Sequence, residues 1–484
     1  MYYDAPVELH NDQLRWLLEK GKNTEYGKKY GFADIKGPEE FRKRLPVVAY
    51  DALRPYIERG VNGENNVLWP EPVTWYAKSS GTTEKRSKFI PVSPASLKYS
   101  HLMGGRDSVY SAMNIFPGLK AFSGKTLALG GSHSPGKGKF GIRNGDLSAI
   151  MIENAPKWTS YVKVPDPEIM LMEDWDRKIE MICRSTMDRD VRCLAGVPSW
   201  FLSLIQKILR DTGKDNLLEI WPHLELFIHG GVGFEPYREI YRKLIPSESM
   251  HYLETYNASE GFFGIQSSAD DTSLQLMLDY RTYYEFIPIE NLGRENPETL
   301  TLDEVETGRN YALVITTPAG LWRYNIGDTI QFTSLAPYKF RITGRTKLFI
   351  NIFGEELMID NANRAVSISS QICDCKVYDF TVAPCYMSEA GKGAHEWIVE
   401  FISAPEDVPE FASVLDKELR KVNSDYDAKR NSSLEELKLH VAPEGFFNSW
   451  LKDEGKLGGQ NKVPRLRNDR ELMEKLLERL YPGR

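Results

Sequence analysis

The chain has 484 residues, of which 41% are hydrophobic and 27% are charged. This composition is typical of a globular protein large enough for two or three domains, and it excludes an intrinsically disordered chain. The formal net charge of −7 argues against a general binder of nucleic acid or of anionic membranes. Because the sequence has no apolar run of membrane-spanning length, no visible signal peptide and only five cysteines, a cytoplasmic protein is expected.

The first hundred residues combine short helices with a loop of small, hydroxylated residues. Helices are predicted around residues 14–18, 38–44 and 51–59. The loop runs from Lys78 to Lys88 and contains Ser79, Ser80, Gly81, Thr82 and Thr83 ahead of a basic cluster. Hydroxyl and backbone N–H groups in such a loop can surround phosphate oxygens. The loop lacks the Gly-Lys-Ser/Thr ending of a Walker A motif, and an ordinary surface loop has a similar composition.

Predicted strands then alternate with predicted helices. A helix begins at Ser93-Pro94 and continues to about Met113. Further strands are predicted over 126–129, 191–195, 225–228 and 251–254, with helices over 173–187, 199–209 and 234–244. This alternation predicts a parallel sheet, whose ligands bind beyond the carboxyl ends of its strands. The opening of a site is therefore expected at Gly196, Gly230, Gly231 and Tyr256.

The pattern changes again further along the chain. Residues 274–332 are β-rich, which predicts an antiparallel subdomain beside the parallel sheet. A domain boundary is predicted at Gly344-Arg345, because the following helices and strands suffice for one compact α+β domain. The predicted fold is therefore α/β. Its large N-terminal domain, residues 1–344, contains parallel and mixed sheets flanked by helices plus the β-rich subdomain, and its small mobile C-terminal domain is residues 345–484.

Four later segments carry side chains suited to nucleotide chemistry. The segment from Tyr256 to Gly261 offers an aromatic ring, the Ser259 hydroxyl and the Glu260 carboxylate, which can bind Mg²⁺. Asp328 follows a glycine, where a carboxylate can bind both ribose hydroxyls. The other two are Gly344-Arg345-Thr346-Lys347, suited to a hinge, and the Gly-rich loop with Lys462, which can approach a developing negative charge. Taken singly, each also matches common surface structure: a capped loop, a hairpin turn, a linker and a solvated loop.

Together and in this order, the five segments resemble the adenylate-forming superfamily of acyl-CoA synthetases, peptide-synthetase adenylation domains and luciferases. Within it, the chain is most similar to the Gretchen Hagen family of acyl acid amido synthetases, first known from auxin-responsive plant proteins, and in particular to its bacterial branch. The resemblance covers nearly the whole chain and includes Asn23-Thr24-Glu25-Tyr26-Gly27 and Asn423-Ser424-Asp425-Tyr426. The loop departs from the superfamily pattern at Glu84, where glycine is usual.

The resemblance implies that ATP and Mg²⁺ are used and assigns roles by motif. Ser79, Ser80, Gly81, Thr82 and Thr83 would hold phosphates, and Ser259 would bind a phosphate as well. Tyr256 would lie near adenine, Glu260 would bind Mg²⁺, and Asp328 would bind ribose. Arg345 would approach ribose and phosphate, Lys347 would lie at the hinge, and Lys462 would be delivered by the C-terminal domain. Arg106, on the helix that ends near Met113, is a candidate partner for a substrate carboxylate, with a solvated arginine as the alternative.

The implied function is activation of a carboxylic acid as an acyl-adenylate, followed by transfer to an amine, usually of an amino acid. Its partners would be a small carboxylic acid and an amino acid, without nucleic acid or membrane. An acyl-CoA ligase, which shares the first half-reaction, is an alternative, as is an enzyme that loads a separate carrier protein. A non-catalytic nucleotide-binding protein is a further alternative, although the retained Glu260, Asp328 and Lys462 argue against it.

Overall fold

The computed structural model of the protein describes residues 2–79, 88–131, 141–231, 234, 237–292, 294, 296–346, 349–350, 355, 357–385, 393–431, 434–455, 462–467 and 469–483. The strands within these residues form one large sheet and three small ones. In chain order the strands are β1 (Trp75–Ser79), β2 (Lys88–Val92), β3 (Lys125–Leu129), β4 (Arg143–Gly145), β5 (Lys163–Val164), β6 (Val191–Gly196), β7 (Leu226–Gly230), β8 (His251–Ala258), β9 (Gly261–Gln266), β10 (Leu274–Leu276), β11 (Tyr283–Pro288), β12 (Asn310–Thr316), β13 (Tyr324–Leu335), β14 (Tyr338–Arg345), β15 (Phe349–Ile350), β16 (Leu357–Met358), β17 (Lys376–Cys385), β18 (Ala394–Ser403) and β19 (Lys438–Ala442).

The helices of the described residues flank these sheets. In chain order they are α1 (Pro6–Gly21), α2 (Glu25–Tyr30), α3 (Pro38–Arg44), α4 (Tyr50–Val61), α5 (Pro94–Ser96), α6 (Leu102–Ile115), α7 (Leu147–Glu153), α8 (Pro167–Met170), α9 (Trp175–Thr186), α10 (Pro198–Thr212), α11 (Arg238–Leu244), α12 (Ile359–Ile372), α13 (Val408–Val422), α14 (Ser424–Arg430), α15 (Phe446–Asp453) and α16 (Glu471–Leu480). A π-helical turn, Leu97–His101, joins α5 to α6 into one continuous helix. Among the described helices, none combines the length and the apolar character needed to cross a membrane.

The large sheet has the strand order β11-β12-β13-β14-β10-β9-β8-β7-β6-β3-β5. Its half from β8 to β5 is parallel, as the alternation of strands and helices predicts. The other half is antiparallel, starting where β9 folds back on β8. The β-rich segment therefore continues the parallel sheet instead of forming a second sheet beside it.

Two separate hydrophobic cores cover the two faces of the parallel half. On one face, Leu127, Leu194 and Phe227 pack against side chains of α9, α10 and α11. On the other face, Cys193, Leu226 and Leu253 pack against Ala112 and Phe116 at the end of the long helix. Because neighbouring strand residues point to opposite faces, β6, β7 and β8 each supply side chains to both cores.

A buried ion pair joins the antiparallel half of the sheet to the N-terminal helices. Arg323 and Glu285 are 4% and 1% exposed, and the guanidinium donates two hydrogen bonds to the carboxylate, of 2.9 and 2.8 Å. The same guanidinium donates to the Thr299 hydroxyl and to the backbone carbonyls of Arg42 and Leu45, at the end of α3. Arg323 therefore fixes the start of β13, the strand that carries Asp328.

The C-terminal residues form a smaller unit with its own sheet, β17-β18-β19. Helices α12 and α13 pack on one side of it, around Phe411 and Leu415. Helices α15 and α16 enclose a second cluster, which includes Phe447 and Leu476. Both clusters are buried within residues 350–476.

Candidate active site

A cavity of about 1730 Å³ lies at the carboxyl ends of the parallel strands. The predicted opening residues Gly196, Gly230, Gly231 and Tyr256 all line it. Glycine is needed where neighbouring strands approach closely: a Cβ at Gly230 would lie 2.5 Å from the Thr255 carbonyl oxygen. The cavity therefore lies at the strand ends where the sequence predicts a site.

The segment from Tyr256 to Gly261 forms the hairpin that connects β8 to β9. The predicted strand 251–254 is longer in the structure and extends through Ala258, so the segment is neither a surface loop nor a helix start. Ser259 and Glu260 are 4% and 8% exposed and line the cavity. A buried hydroxyl and a buried carboxylate at one tight turn can meet a phosphate group and a cation, respectively.

The π-helical turn holds this hairpin in place. The backbone N–H of Phe262 donates a 2.8 Å hydrogen bond to the Ser100 hydroxyl. The Nδ1 atom of His101 lies 3.4 Å from the Asn257 side-chain oxygen, and burial lowers the pKa of His101 to about 4. The imidazole is therefore neutral at pH 7. Ser100 and His101 were not predicted as site residues. They lie on a π-helical turn, a feature that is frequent at functional sites but has no simple sequence pattern.

Asp328 lies inside the long strand β13, and not at the hairpin turn that the Gly-Asp pair also allowed. The strand continues past Gly327, whose φ is +87°, because β14 pairs alongside, with Asp328 opposite Arg345. The Tyr256 hydroxyl donates a hydrogen bond to the Asp328 carboxylate. Two predicted site residues from distant segments thus meet in the cavity.

Lys462 links the C-terminal unit to the strand ends. Its ammonium donates a hydrogen bond to the backbone carbonyl of Gly231, directly after β7. Nearby, Arg465 donates to Asp379 and Asn363 at 2.8 Å each and to the Tyr237 hydroxyl at 3.1 Å. Arg465 thereby positions the backbone that carries Lys462. Arg465 was not predicted as a site residue. The sequence signal that could have identified it is its position three residues after Lys462, in the same Gly-rich segment.

The remaining predicted residues have different positions. Ser79 ends β1, and the Ser80, Gly81, Thr82 and Thr83 of the predicted phosphate loop lie outside the described residues, as does Lys347. Arg106 lines the cavity, but its side chain is 58% exposed and its Nε donates a 2.7 Å hydrogen bond to Asp107. Because Asp107 already supplies a counter-charge, a substrate carboxylate is not required to neutralise Arg106.

Several protein groups could hold parts of a nucleotide and a cation here. Within the described ranges, no cluster of three or more His, Cys, Asp or Glu side chains is arranged to hold a metal ion. Glu260 nevertheless suits Mg²⁺, which often takes one or two carboxylates together with substrate phosphates. The arrangement can therefore accept a nucleotide with its own cation.

Three models of one family match the chain in order: the GH3 family N-terminal domain over residues 3–155 and 143–250, the central domain over 275–345 and the C-terminal domain over 360–471. Among curated relatives is the indole-3-acetic acid-amido synthetase GH3.3 of Arabidopsis thaliana, 25% identical over 96% of this chain and 90% of that protein. The jasmonoyl–L-amino acid synthetase JAR4 of Nicotiana attenuata is 24% identical, over 95% of this chain and 90% of that protein. Both relatives are named as synthetases.

Solved structures share the fold. The GH3.15 acyl acid amido synthetase matches with a TM-score of 0.79 and 21% identity, over 99% of this chain and 94% of that one. A 2-hydroxyisobutyryl-CoA ligase in the postadenylation state, in complex with 2-HIB-AMP, has a TM-score of 0.61 and 14% identity, over 97% of this chain and 90% of that one. The predicted α/β fold and family are confirmed, while the bacterial branch stays a prediction. Since the three family models together match most of its length, the chain belongs to the GH3 family.

Proposed function

We propose that this protein activates a carboxylic acid with ATP and transfers the acyl group to the amine of an amino acid, forming an amide. The observation that carries the proposal is the meeting of three predicted segments in one cavity. These are the hairpin with Ser259 and Glu260, the Tyr256–Asp328 hydrogen bond, and the Lys462 ammonium at the end of β7. The names of the curated relatives point to the same chemistry.

The first half-reaction would join the acid to the nucleotide. A carboxylate oxygen of the acid attacks the α-phosphorus of ATP, the bond to the bridging oxygen breaks, and pyrophosphate leaves. In the second, the amine nitrogen attacks the acyl carbon, AMP leaves with the bonding electron pair, and the nitrogen loses a proton. Both steps need positive groups aimed at developing negative charge, which is the role proposed for Lys462.

The proposed nucleotide contacts follow the same arrangement. Tyr256 would lie beside adenine, and Asp328 would accept hydrogen bonds from ribose. Ser259 and the loop from Ser79 to Thr83 would hold phosphates, with Arg345 near ribose and phosphate. Glu260 would hold Mg²⁺, which when bound neutralises phosphate charge. Arg106 stays a candidate for the substrate carboxylate.

Residues 345–484 are proposed to move as a lid over residues 1–344, with Lys347 at the hinge. The C-terminal unit has its own sheet and its own buried clusters, which supports its folding as one body. Just after the boundary, the Thr346 N–H donates a 2.7 Å hydrogen bond to the Gly327 carbonyl, next to Asp328. A movement at this point would therefore be coupled to the ribose contact.

A cytoplasmic location also stays a prediction.

Pyrophosphate release from Mg-ATP tests the proposal. The purified protein is incubated with a panel of aryl and alkyl carboxylic acids, each with and without an amino-acid mixture and with and without coenzyme A. Acid-dependent release that rises with amino acids, together with an amide product by mass spectrometry, is expected. Release that rises only with coenzyme A would identify an acyl-CoA ligase. ATP binding without release for any acid would contradict the proposed activity.

Replacing Asp328 with alanine is expected to weaken ATP binding about tenfold or more, because hydrogen bonds to a charged acceptor contribute roughly 1.5–3 kcal/mol each. Calorimetric titration with ATP measures the change. Asp270→Ala is the matched control, because Asp270 is an exposed aspartate in the turn before β10. An Asp328→Ala protein with wild-type ATP affinity would refute the ribose assignment.

A further inference from the structure

The cavity does not end at the carboxyl ends of the strands. It continues along one face of the parallel sheet as far as the edge strand β5, where Thr126 and Lys163 both line it. These two residues are register partners in the β3–β5 pair. Trp158, which is 64% exposed, lies at the same end. Strand β8, which carries Tyr256, lies four strands away from β5 in the sheet.

The alternation of side chains along β5 shows which way Lys163 points. Its neighbour Val164 packs into the core on the α9, α10 and α11 face. Lys163 must therefore point to the other face, the one covered by the long helix. Thr126 points there as well, since it is the register partner of Cys193, which packs against that helix. The Lys163 side chain thus enters the apolar space between sheet and helix.

Lys163 is a partly buried cation without a counter-charge of its own. In the part of the chain that the structure describes, its ammonium makes no hydrogen bond or ion pair, whereas Arg106 at the same cavity has Asp107. Burial lowers the pKa of Lys163. Desolvating an ammonium without a partner is unfavourable. An anionic ligand at this position would therefore stabilise the charged form of Lys163.

The floor between Lys163 and the strand ends is apolar. Ile228 and Ala195 are register partners on β7 and β6, and both line the cavity. Strand β5 lies three strands from β7, a separation of about 14 Å at the usual strand spacing. After allowing for the reach of a lysine side chain, a spacer on the order of 10 Å remains.

We propose that the acid activated by this protein carries a second anionic group, separated from the activated carboxyl by an apolar spacer, and that Lys163 binds that second group. This inference rests on the proposed function, because it assumes that the reacting carboxyl lies near Lys462 and Ser259. It narrows the substrate class to acids that are charged at both ends, such as dicarboxylic acids. A simple apolar acid would fill the spacer region but leave Lys163 without a counter-charge.

Matched pairs of acids test the inference. Pyrophosphate release is measured with hexanedioic to dodecanedioic acids and with the monocarboxylic acid of the same length, for the wild type and for Lys163→Met. The wild type is expected to prefer the best diacid in kcat/KM by about ten- to a hundredfold, the contribution of a charged hydrogen bond. Lys163→Met should lose this preference and keep its activity on monoacids.

Two further variants separate a binding role from a structural one. Lys163→Arg keeps the positive charge and should retain most of the preference for diacids. Lys157→Met removes an exposed lysine from the same segment and should change nothing. A wild type that prefers monoacids, or a Lys163→Met protein that loses activity on both acids equally, would overturn the inference.

Thermal unfolding without ATP gives a readout that does not depend on activity. Decanedioate should raise the Tm of the wild type but not of Lys163→Met, while decanoate should act equally on both. If no acid supports pyrophosphate release, the proposed function fails, and the decanedioate shift still decides whether Lys163 binds an anion. Equal shifts in both proteins would overturn the Lys163 assignment.

Discussion

Replacing Lys462 with alanine is expected to slow acyl-adenylate formation about a hundred- to a thousandfold, the usual effect of removing one donor aimed at developing charge. ATP affinity should change little, because Asp328 and the hairpin with Ser259 lie on the other side of the proposed domain boundary. In the structure, the Lys462 ammonium already reaches the Gly231 carbonyl at the end of β7. Single-turnover pyrophosphate release measures the rate, and calorimetry measures ATP binding.

The variants must separate the charge of Lys462 from its contact with Gly231. Lys462→Gln keeps a donor for that carbonyl but removes the charge, so it should be nearly as slow as Lys462→Ala. Lys475→Ala removes an exposed lysine on α16 and serves as the control. An unchanged rate in Lys462→Ala would remove Lys462 from the mechanism. A Lys462→Gln protein at the wild-type rate would instead assign its role to the contact.

Replacing Arg323 with methionine is expected to lower the free energy of unfolding by about 3–5 kcal/mol, because it leaves the buried Glu285 carboxylate without its partner. The change also removes the hydrogen bonds to the Arg42 and Leu45 carbonyls, so α3 would lose its attachment to β13. Urea denaturation followed by tryptophan fluorescence measures the effect. Removing both charges, in Arg323→Met with Glu285→Leu, should recover part of the loss.

A surface ion pair supplies the control for this prediction. Arg309 and Glu290 are paired at 37% and 54% exposure. Arg309→Met should change the free energy of unfolding by no more than about 1 kcal/mol, because solvent screens the pair. If Arg323→Met is no more destabilising than Arg309→Met, the buried pair does not stabilise the fold as argued.

Local sequence patterns were sufficient to predict much of the parallel half of the sheet. The strands at 191, 226 and 251 and the glycines that follow the first two were predicted because strand and helix periodicities, and glycine after a strand, are properties of neighbouring residues. The extent of β8 was not predicted. Its last residues are strand only because β9 pairs with them, and that pairing depends on a turn at buried Ser259 and Glu260.

The sequence by itself determined the order of the motifs, the family and the part of the sheet where a site should lie. Only the tertiary structure decided that Asp328 lies within a strand, that Tyr256 meets it, and that Lys462 reaches Gly231. It also decided that Lys163 points into the cavity. The physical reason is that these facts depend on pairing and packing between segments far apart in the chain, whereas sequence patterns record only what each segment requires of its neighbours.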